Sequence, residues 1–372
     1  MKILVLGGAG DMGSRAVEAL AQAPDVEQIT IADKEIGSAR ALAERLNGPK
    51  TKVDAKWVDA ADHRGLVEAM RGYTLVASTL GPFYLFEAKL VAAAIEARVH
   101  YASICDDWLA AEQVLHRFDE RARREQVKIL SGLGTSPGIS NVGIRFLASK
   151  MDKPERADVY VYMPLDGGGG PAVISHTLFI MSGEVPAWRD GRRVMLRACS
   201  EHKVVEFPRC GPLDVWNMGH SEPVTIPRFI RGIREVNFFM GFGAGSNLLV
   251  VPARMRLFDR QGSRRLFEKV LRGIERLSAT KEPRWGAVRI EVWGERGGEK
   301  AYEAGFGIGQ MRNATGLSLA VGSLMLGRGE VVTEEGGVFG PEACLDPTVF
   351  LARMKDAGVT AYSDLSMTNP VV

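Results

Sequence analysis

Cysteine is scarce in this sequence. The four residues Cys105, Cys199, Cys210 and Cys344 form no C-x-x-C pair among 372 positions, which excludes a small disulfide-stapled scaffold and points to a reducing, cytoplasmic compartment. Cys199, His202, Cys210 and His220 lie in one stretch, but their spacing is irregular and the paired short turns of structural zinc are missing, so no metal is expected. An excess of either charge is missing too. The 47 basic and 45 acidic residues leave +2, which gives no reason to expect nucleic acid or an anionic membrane as main partner. Basic clusters at Arg189, Arg192, Arg193 and Arg197, and at Arg260, Arg264 and Arg265, read as solvated faces. Long apolar runs are lacking as well: the uncharged stretch Val236 to Ala253 is broken by glycines, Ser246, Asn247 and Pro252, so no membrane span is expected. One lysine and four apolar residues before the first glycine do not make a secretory leader.

What is present is a soluble globular composition, 46% hydrophobic and 25% charged, in a chain whose length suits two domains. The most informative stretch is the first. Ile3-Leu4-Val5-Leu6 reads as a buried strand, and Gly8, Gly10 and Gly13 then form G-x-G-x-x-G where that strand hands over to a helix. In this reading Gly8 permits the tight turn, Gly10 lets the backbone approach a pyrophosphate, and Gly13 lets the helix lie close to the strand. Asp11 and Met12 sit in the first helical turn, whose N–H groups face the phosphates. Met12, Ala16, Ala19, Leu20 and Ala23 share a helix face. A second apolar run ends in Asp33, where a carboxylate would hold the adenosine ribose. That carboxylate repels a 2'-phosphate and favours NAD, while Lys34 and Arg40 soften the repulsion and keep NADP open.

The alternation continues: a helix near 37–46, a strand near 53–58, a helix near 62–70, a strand at 74–79. This is the beat of a doubly wound parallel sheet of Rossmann type. Asp59 lies where an adenine would rest, or simply starts the next connection. Thr79, Gly81 and Pro82 form a loop at the carboxyl edge, where ligands of such folds bind. Asp107 reads as the N-cap of a helix whose apolar face is Trp108, Ala111, Val114, Leu115 and Phe118, leaving Asp106 at the same edge as a candidate for substrate contact. Ser131 to Asn141, with Pro137 at its centre, is another loop built for close backbone approach.

These residues resemble the saccharopine dehydrogenase family. The resemblance rests on the opening GGAGDMG, on Leu80-Gly81-Pro82-Phe83, on His100-Tyr101 entering Asp106-Asp107, and on Gly134-Thr135-Ser136-Pro137-Gly138 with Asn141. It extends to Gly219-His220-Ser221-Glu222-Pro223-Val224-Thr225 and to Gly340 through Pro347, and so covers nearly the whole chain. It implies hydride exchange between NAD(P) and a carbon bonded to nitrogen, as in saccharopine reductases, lysine 6-dehydrogenases and carboxynorspermidine dehydrogenases. It also implies that the C-terminal helix returns to the nucleotide domain.

The expected organisation is a dinucleotide-binding domain at 1–138, an α+β substrate and dimerisation domain on a mixed or antiparallel sheet at 139–330, and a returning segment at 331–372. Gly167 to Gly170 reads as a flexible connection, Thr315 to Leu326 as a buried helix, and Asp346 with Pro347 as the start of the last helix. The best chemical cluster is His220, Glu222 and Arg228. His220 suits proton transfer near neutrality, Arg228 suits a carboxylate anchor, and period-two spacing would put His220 and Glu222 on one strand face. The structural alternative is a polar pair at a domain junction. Asp106 is the third candidate for catalysis, and His176 reads as a core or domain-edge histidine. The expected protein is an NAD-dependent oxidoreductase, NADP possible, acting on an amino-acid-like small molecule, and a homodimer. A lipid enoyl-type reductase and a non-catalytic dinucleotide-binding regulator are the rival readings.

Overall fold

The computed structural model describes residues 1–164, 170–277 and 285–372. Of the four-glycine run, Gly167, Gly168 and Gly169 lie outside these residues. The chain begins with six strands and five helices in strict alternation: β1 Lys2–Leu6, α1 Asp11–Leu20, β2 Gln28–Asp33, α2 Ile36–Leu46, β3 Lys52–Trp57, α3 His63–Met70, β4 Leu75–Ser78, α4 Phe83–Ala97, β5 His100–Ser103, α5 Trp108–Arg124 and β6 Lys128–Ser131. It continues through α6 Ile139–Ala148, β7 Lys153–Tyr162, α7 Gly170–Ile180, β8 Glu184–Arg189, β9 Arg192–Arg197, β10 His202–Phe207 and β11 Gly211–Asn217. Then come α8 Glu222–Phe229, β12 Glu235–Gly241, α9 Ser246–Arg254, α10 Gln261–Leu277, β13 Gly286–Arg296 and β14 Glu299–Gly309. The last elements are α11 Met311–Gly327, β15 Gly337–Phe339, α12 Pro341–Cys344 and α13 Pro347–Asp356.

Two compact units result. The first is Met1–Ile139 with Arg312–Ala357, and the second is Ser140–Met311 with Gly358–Val372. The return therefore comes at 312 rather than 331, and the last fifteen residues go with the second unit. The cause of the earlier return is visible in α11. A Cβ on Gly316 would fall 2.7 Å from Arg15 Cβ and 2.9 Å from the Met12 carbonyl, and one on Gly322 would fall 2.6 Å from Leu133. Those close approaches, with the Thr135–Thr315 hydroxyl contact at 2.9 Å, seat α11 in the first unit. Its apolar sequence carries no mark of which core it fills.

The first unit is built on a seven-stranded sheet of order β15-β6-β5-β4-β1-β2-β3, parallel throughout. Residues 3–6 of β1 are fully buried, as a central strand covered on both faces requires. The strand order reverses between β1 and β4, so the turn after β1 and the loop after β4 lie side by side at the carboxyl edge. Helix α1 buries Gly13, Ala16, Val17 and Leu20, with Met12 and Ala19 at the margins of that face rather than at its centre.

The second unit has an eight-stranded mixed sheet, β10-β11-β12-β7-β13-β14, with β8 paired to β12 and β9. Within it β7 and β12 run parallel and the other pairs antiparallel. Alternation sorts the strand residues. Ala157, Val159 and Val161 join Phe238, Met240, Ile290 and Val292 in a core closed by Ile144 and Leu147 of α6 and Ile226 of α8. On the opposite face Asp158 is fully buried, yet it accepts hydrogen bonds from Arg156, Tyr160, Lys203 and Asn237. Burial alone would raise its pKa, but the Arg156 and Lys203 charges hold it below the usual carboxylate range.

Among the described residues no helix is long and apolar enough to cross a membrane. Helix α13 starts as its sequence requires: Asp346 caps it by accepting from the Val349 N–H at 2.9 Å, and Phe350, Leu351 and Met354 are buried. Asp346→Ala is expected to lower unfolding stability by about 1 kcal/mol. Urea denaturation checks this, and an unchanged midpoint would mean that the cap adds nothing to the fold.

Candidate functional site

The turn after β1 is shaped by glycine, though not in the order that its spacing implies. Gly7, at φ +70°, is the left-handed residue, while Gly8 is needed because a Cβ there would press on Val5 and Ile31 at 3.0 and 3.2 Å. Gly10 donates to the Gly7 carbonyl at 3.0 Å, and a Cβ on Gly10 would meet only that carbonyl. Gly13 has no such room: a Cβ would lie 2.4 Å from Gly7 O and 2.7 Å from Thr79 Oγ1. Thr79 in turn donates to Gly7 O at 2.9 Å, tying the loop after β4 to the turn after β1. The first helical hydrogen bond beyond the turn runs from Ser14 N to Gly10 O, so the N–H groups of Asp11, Met12 and Gly13 stand at the open helix end. These features fit a pyrophosphate.

Asp11 does not face outward alone. Its carboxylate pairs with Arg312 Nε at 3.0 Å, and Arg312 Nη2 also donates to Ser14 Oγ. Asp33 ends β2 half-buried and accepts from the Glu35 N–H at 3.0 Å, with Lys34 exposed beside it. Asp59 is exposed and accepts from the Ala61 N–H at 2.8 Å, the role of a residue that opens the next connection. Pro82 occupies the N-cap position of α4, with Gly81-Pro82 cis. Pro137, also after a cis bond, accepts from Gly134 N at 2.8 Å. Asp107 is the N-cap of α5, its carboxylate accepting from Ala110 N at 2.9 Å, and Asp106 lies half-buried before it. Burial and the nearby Glu87, Asp107 and Asp106 carboxyls push the Cys105 thiol well up, which rules out a resting thiolate.

Behind these loops lies an acid that sequence reasoning missed. Glu87 of α4 is fully buried and receives Ser103 Oγ at 2.5 Å, Tyr101 Oη at 2.9 Å and Ser131 Oγ at 3.2 Å. Burial pushes its carboxyl up to about 7, with the Ser103, Tyr101 and Ser131 hydrogen bonds pulling the other way. The signal was there: a lone acid on the apolar face of FYLFEAKLVAAAIEA, with Tyr101 and Ser103 on one side of β5.

In the second unit His220 and Glu222 are brought together, but not on a strand. His220 lies in the turn before α8, and Glu222 is the first residue of that helix. Glu222 Oε2 engages His220 Nδ1, and the Ser140 hydroxyl is shared between Glu222 Oε1 at 3.3 Å and Asn141 Oδ1 at 3.2 Å. Both His220 and Glu222 are buried. The imidazole lies flat on Phe238, centroids 3.9 Å apart and planes within 4°, and meets His176 edge-on at 6.4 Å. A carboxylate on Nδ1 fixes the tautomer in which Nε2 is the proton acceptor. Arg228, six residues along α8 from Glu222, is exposed and lies beside Phe229. Of the metal ligands weighed from the sequence, His202 pairs with Asp214 at 2.5 Å and His220 with Glu222.

Residues 3–130 match the family described as saccharopine dehydrogenase NADP binding domain. The chain is similar to carboxynorspermidine synthases of Vibrio alginolyticus and Vibrio cholerae, at 26% identity over 270 and 265 residues, covering 65% of this chain. It spans 63% of the length of each. Among solved structures it is similar to the apo saccharopine dehydrogenase (L-Glu forming) of Saccharomyces cerevisiae, with a TM-score of 0.70 at 13% identity over 97% of this chain and 99% of that one. That likeness is one of fold. The part of the first unit that the family model matches, residues 3–130, is thus similar to an NADP-binding domain.

Two outcomes are expected here. Asp33→Ser should raise the NADP to NAD affinity ratio by about tenfold, because a carboxylate facing a 2'-phosphate is removed; titration with both reduced cofactors measures it, and an unchanged ratio would remove Asp33 from the ribose site. The Glu87 carboxyl has a folded pKa raised from 4.5 to about 7. The stability it gives is therefore fully present below pH 4.5 and is lost as pH rises through 7, by about 3 kcal/mol in all. Glu87→Gln should flatten that decline in pH-dependent urea melts. Superimposed profiles for the two proteins would show that burial does not shift this group.

Proposed function

We propose, on the match of residues 3–130 to the saccharopine dehydrogenase NADP binding domain, that the chain is an NAD(P)-dependent oxidoreductase of a C–N bond. The substrate class is an amino acid, or a secondary amine that carries an amino-acid carboxylate, together with the corresponding imine. The family match carries this reading. The two relatives called carboxynorspermidine synthases lend it a synthetic direction, for which the proposal here is reduction of an imine formed between an amine and a carbonyl. Of the two cofactors, NAD is the proposal, on the ground of the Asp33 carboxylate.

NAD(P)H, when bound, supplies the hydride that the imine carbon gains. The proton for the nitrogen is proposed to come from His220 Nε2, and in the oxidative direction the same atom takes it back. Glu222 supports that role by holding Nδ1 and stabilising the imidazolium, and Phe238 supports it by fixing the ring plane. Asp106 is proposed to balance a substrate ammonium. Arg228, exposed on α8 beside Phe229, is the weaker candidate, proposed only as a carboxylate anchor.

The test is absorbance of the reduced nicotinamide, with each cofactor separately, across lysine, saccharopine and mixtures of amines with keto acids or semialdehydes. Turnover is expected with one of them, and cofactor binding without any turnover would overturn the C–N reading. His220→Asn is expected to lower kcat by about 10²- to 10⁴-fold with cofactor affinity unchanged. Full activity in that variant would reduce His220–Glu222 to a structural pair.

A further inference from the structure

The basic cluster at Arg260, Arg264 and Arg265, expected from sequence to be a solvated face, sits in an unusual setting. Six of the fifteen strongly exposed large apolar side chains among the described residues fall between Leu248 and Val270. They are Leu248, Val251, Met255, Leu257, Leu266 and Val270, each 37–66% exposed. Their spacing is helical: 248, 251 and 255 form one stripe along α9 and its end, and 266 and 270 another along α10. The segment is not loose on its inner side. Leu249, Val250, Ala253 and Phe258 are buried in the core of the second unit, Phe267 and Leu271 pack against it, and Phe258 meets Phe267 edge-on at 5.0 Å. Two anchored helices therefore display a second apolar face outward.

Cations border that face. Arg254, Arg256, Arg260, Arg265, Lys269 and Arg272 are exposed along the same segment. On α10 the residues 265, 269 and 272 form a ridge next to the apolar flank of 266 and 270. Of the acids within this stretch, Asp259 is shared between Arg197 at 2.9 Å and Arg256 of the same cationic set at 3.6 Å, and Glu268 accepts from Ser175 at 2.9 Å.

We propose that the α9–α10 face docks on an anionic lipid surface, with Leu248, Val251, Met255, Leu266 and Val270 entering the headgroup boundary and the arginine and lysine side chains meeting the lipid charges. Charge chooses the occupant. A two-fold contact between copies of this chain would lay the patch on itself and set the cationic ridge of Arg265, Lys269 and Arg272 against its own copy. A lipid surface with acidic headgroups satisfies both the apolar flank and the cationic ridge at once, as interfacial helices do. The association is peripheral, since neither helix spans.

Flotation of the full chain with vesicles tests it, comparing pure phosphatidylcholine with vesicles containing phosphatidylserine. Partition to the anionic vesicles is expected to be at least about tenfold higher and to fall with added salt. Arg265→Glu with Lys269→Glu should abolish it, and Leu266→Ser with Val270→Ser should weaken it severalfold, with circular dichroism and cofactor binding unchanged. Absence of flotation, or equal binding to both vesicles, overturns the proposal. So does salt-sensitive retention on polyglutamate that the Leu266 and Val270 substitutions leave intact, which would indicate an acidic protein partner. Conversion of a dimer to a monomer by the same substitutions would also overturn it, in favour of self-association.

Discussion

The approach of α1 to the ends of β1 and β4 is the constraint on which the nucleotide unit depends. At Gly13 there is no space for even one carbon, because the Gly7 carbonyl and the Thr79 hydroxyl already occupy it. That contact does three things together. It brings the helix end, with its unpaired N–H groups, to the mouth of the turn. It locks the loop after β4 to the turn after β1 through the Thr79–Gly7 hydrogen bond. It also sets α1 where α11 can lie across it, so that Arg312 reaches Asp11 and Ser14. Arg312 also neutralises an acid that would otherwise stand at a phosphate site.

What could be seen in the sequence divides by distance along the chain. Asp107 and Asp346 were legible as caps because their partners, Ala110 and Val349, are three residues away and the requirement is local. The parallel sheet was legible because each strand is an apolar run and each helix has a face. Glu87 was not, because its partners come from Tyr101, Ser103 and Ser131, up to 44 positions on, and meet only when β5 and β6 align. The His220–Glu222 pairing was foreseen from their spacing in a strand-like or loop segment, and the loop holds for His220 while Glu222 opens a helix. Two positions apart also serves a turn that enters a helix, and Pro223 at its first turn favours that outcome. Arg228 was grouped with them by sequence proximity, and in the fold it is exposed near the end of the helix that Glu222 opens.

Three of the buried carboxyls, Asp158, Glu87 and Glu222, show how differently one group can be accommodated. Asp158 is surrounded by cations and stays ionised below its usual range. Glu87 has only hydroxyls, which donate without bringing charge, so burial dominates and its proton is held to about pH 7. Glu222 engages an imidazole nitrogen. Only the last arrangement places a group of intermediate basicity beside a fixed base, which is why the proton chemistry is assigned there and not to Glu87, although Glu87 lies behind the nucleotide loops.

Net charge is the measure that served least well. A sum of +2 over the chain describes an average, and interfaces respond to the local field within a screening length of about 10 Å. Between Leu248 and Arg272 the exposed cations outnumber the available acids, since Asp259 and Glu268 are already partnered. The balancing acids lie elsewhere, many paired across strands or helices of their own. An evenly charged composition and a strongly cationic, apolar segment are therefore compatible, and only the fold, by burying Phe258, Phe267 and Leu271 and leaving Leu266 and Val270 outside, separates the side chains that make the core from those that make a surface.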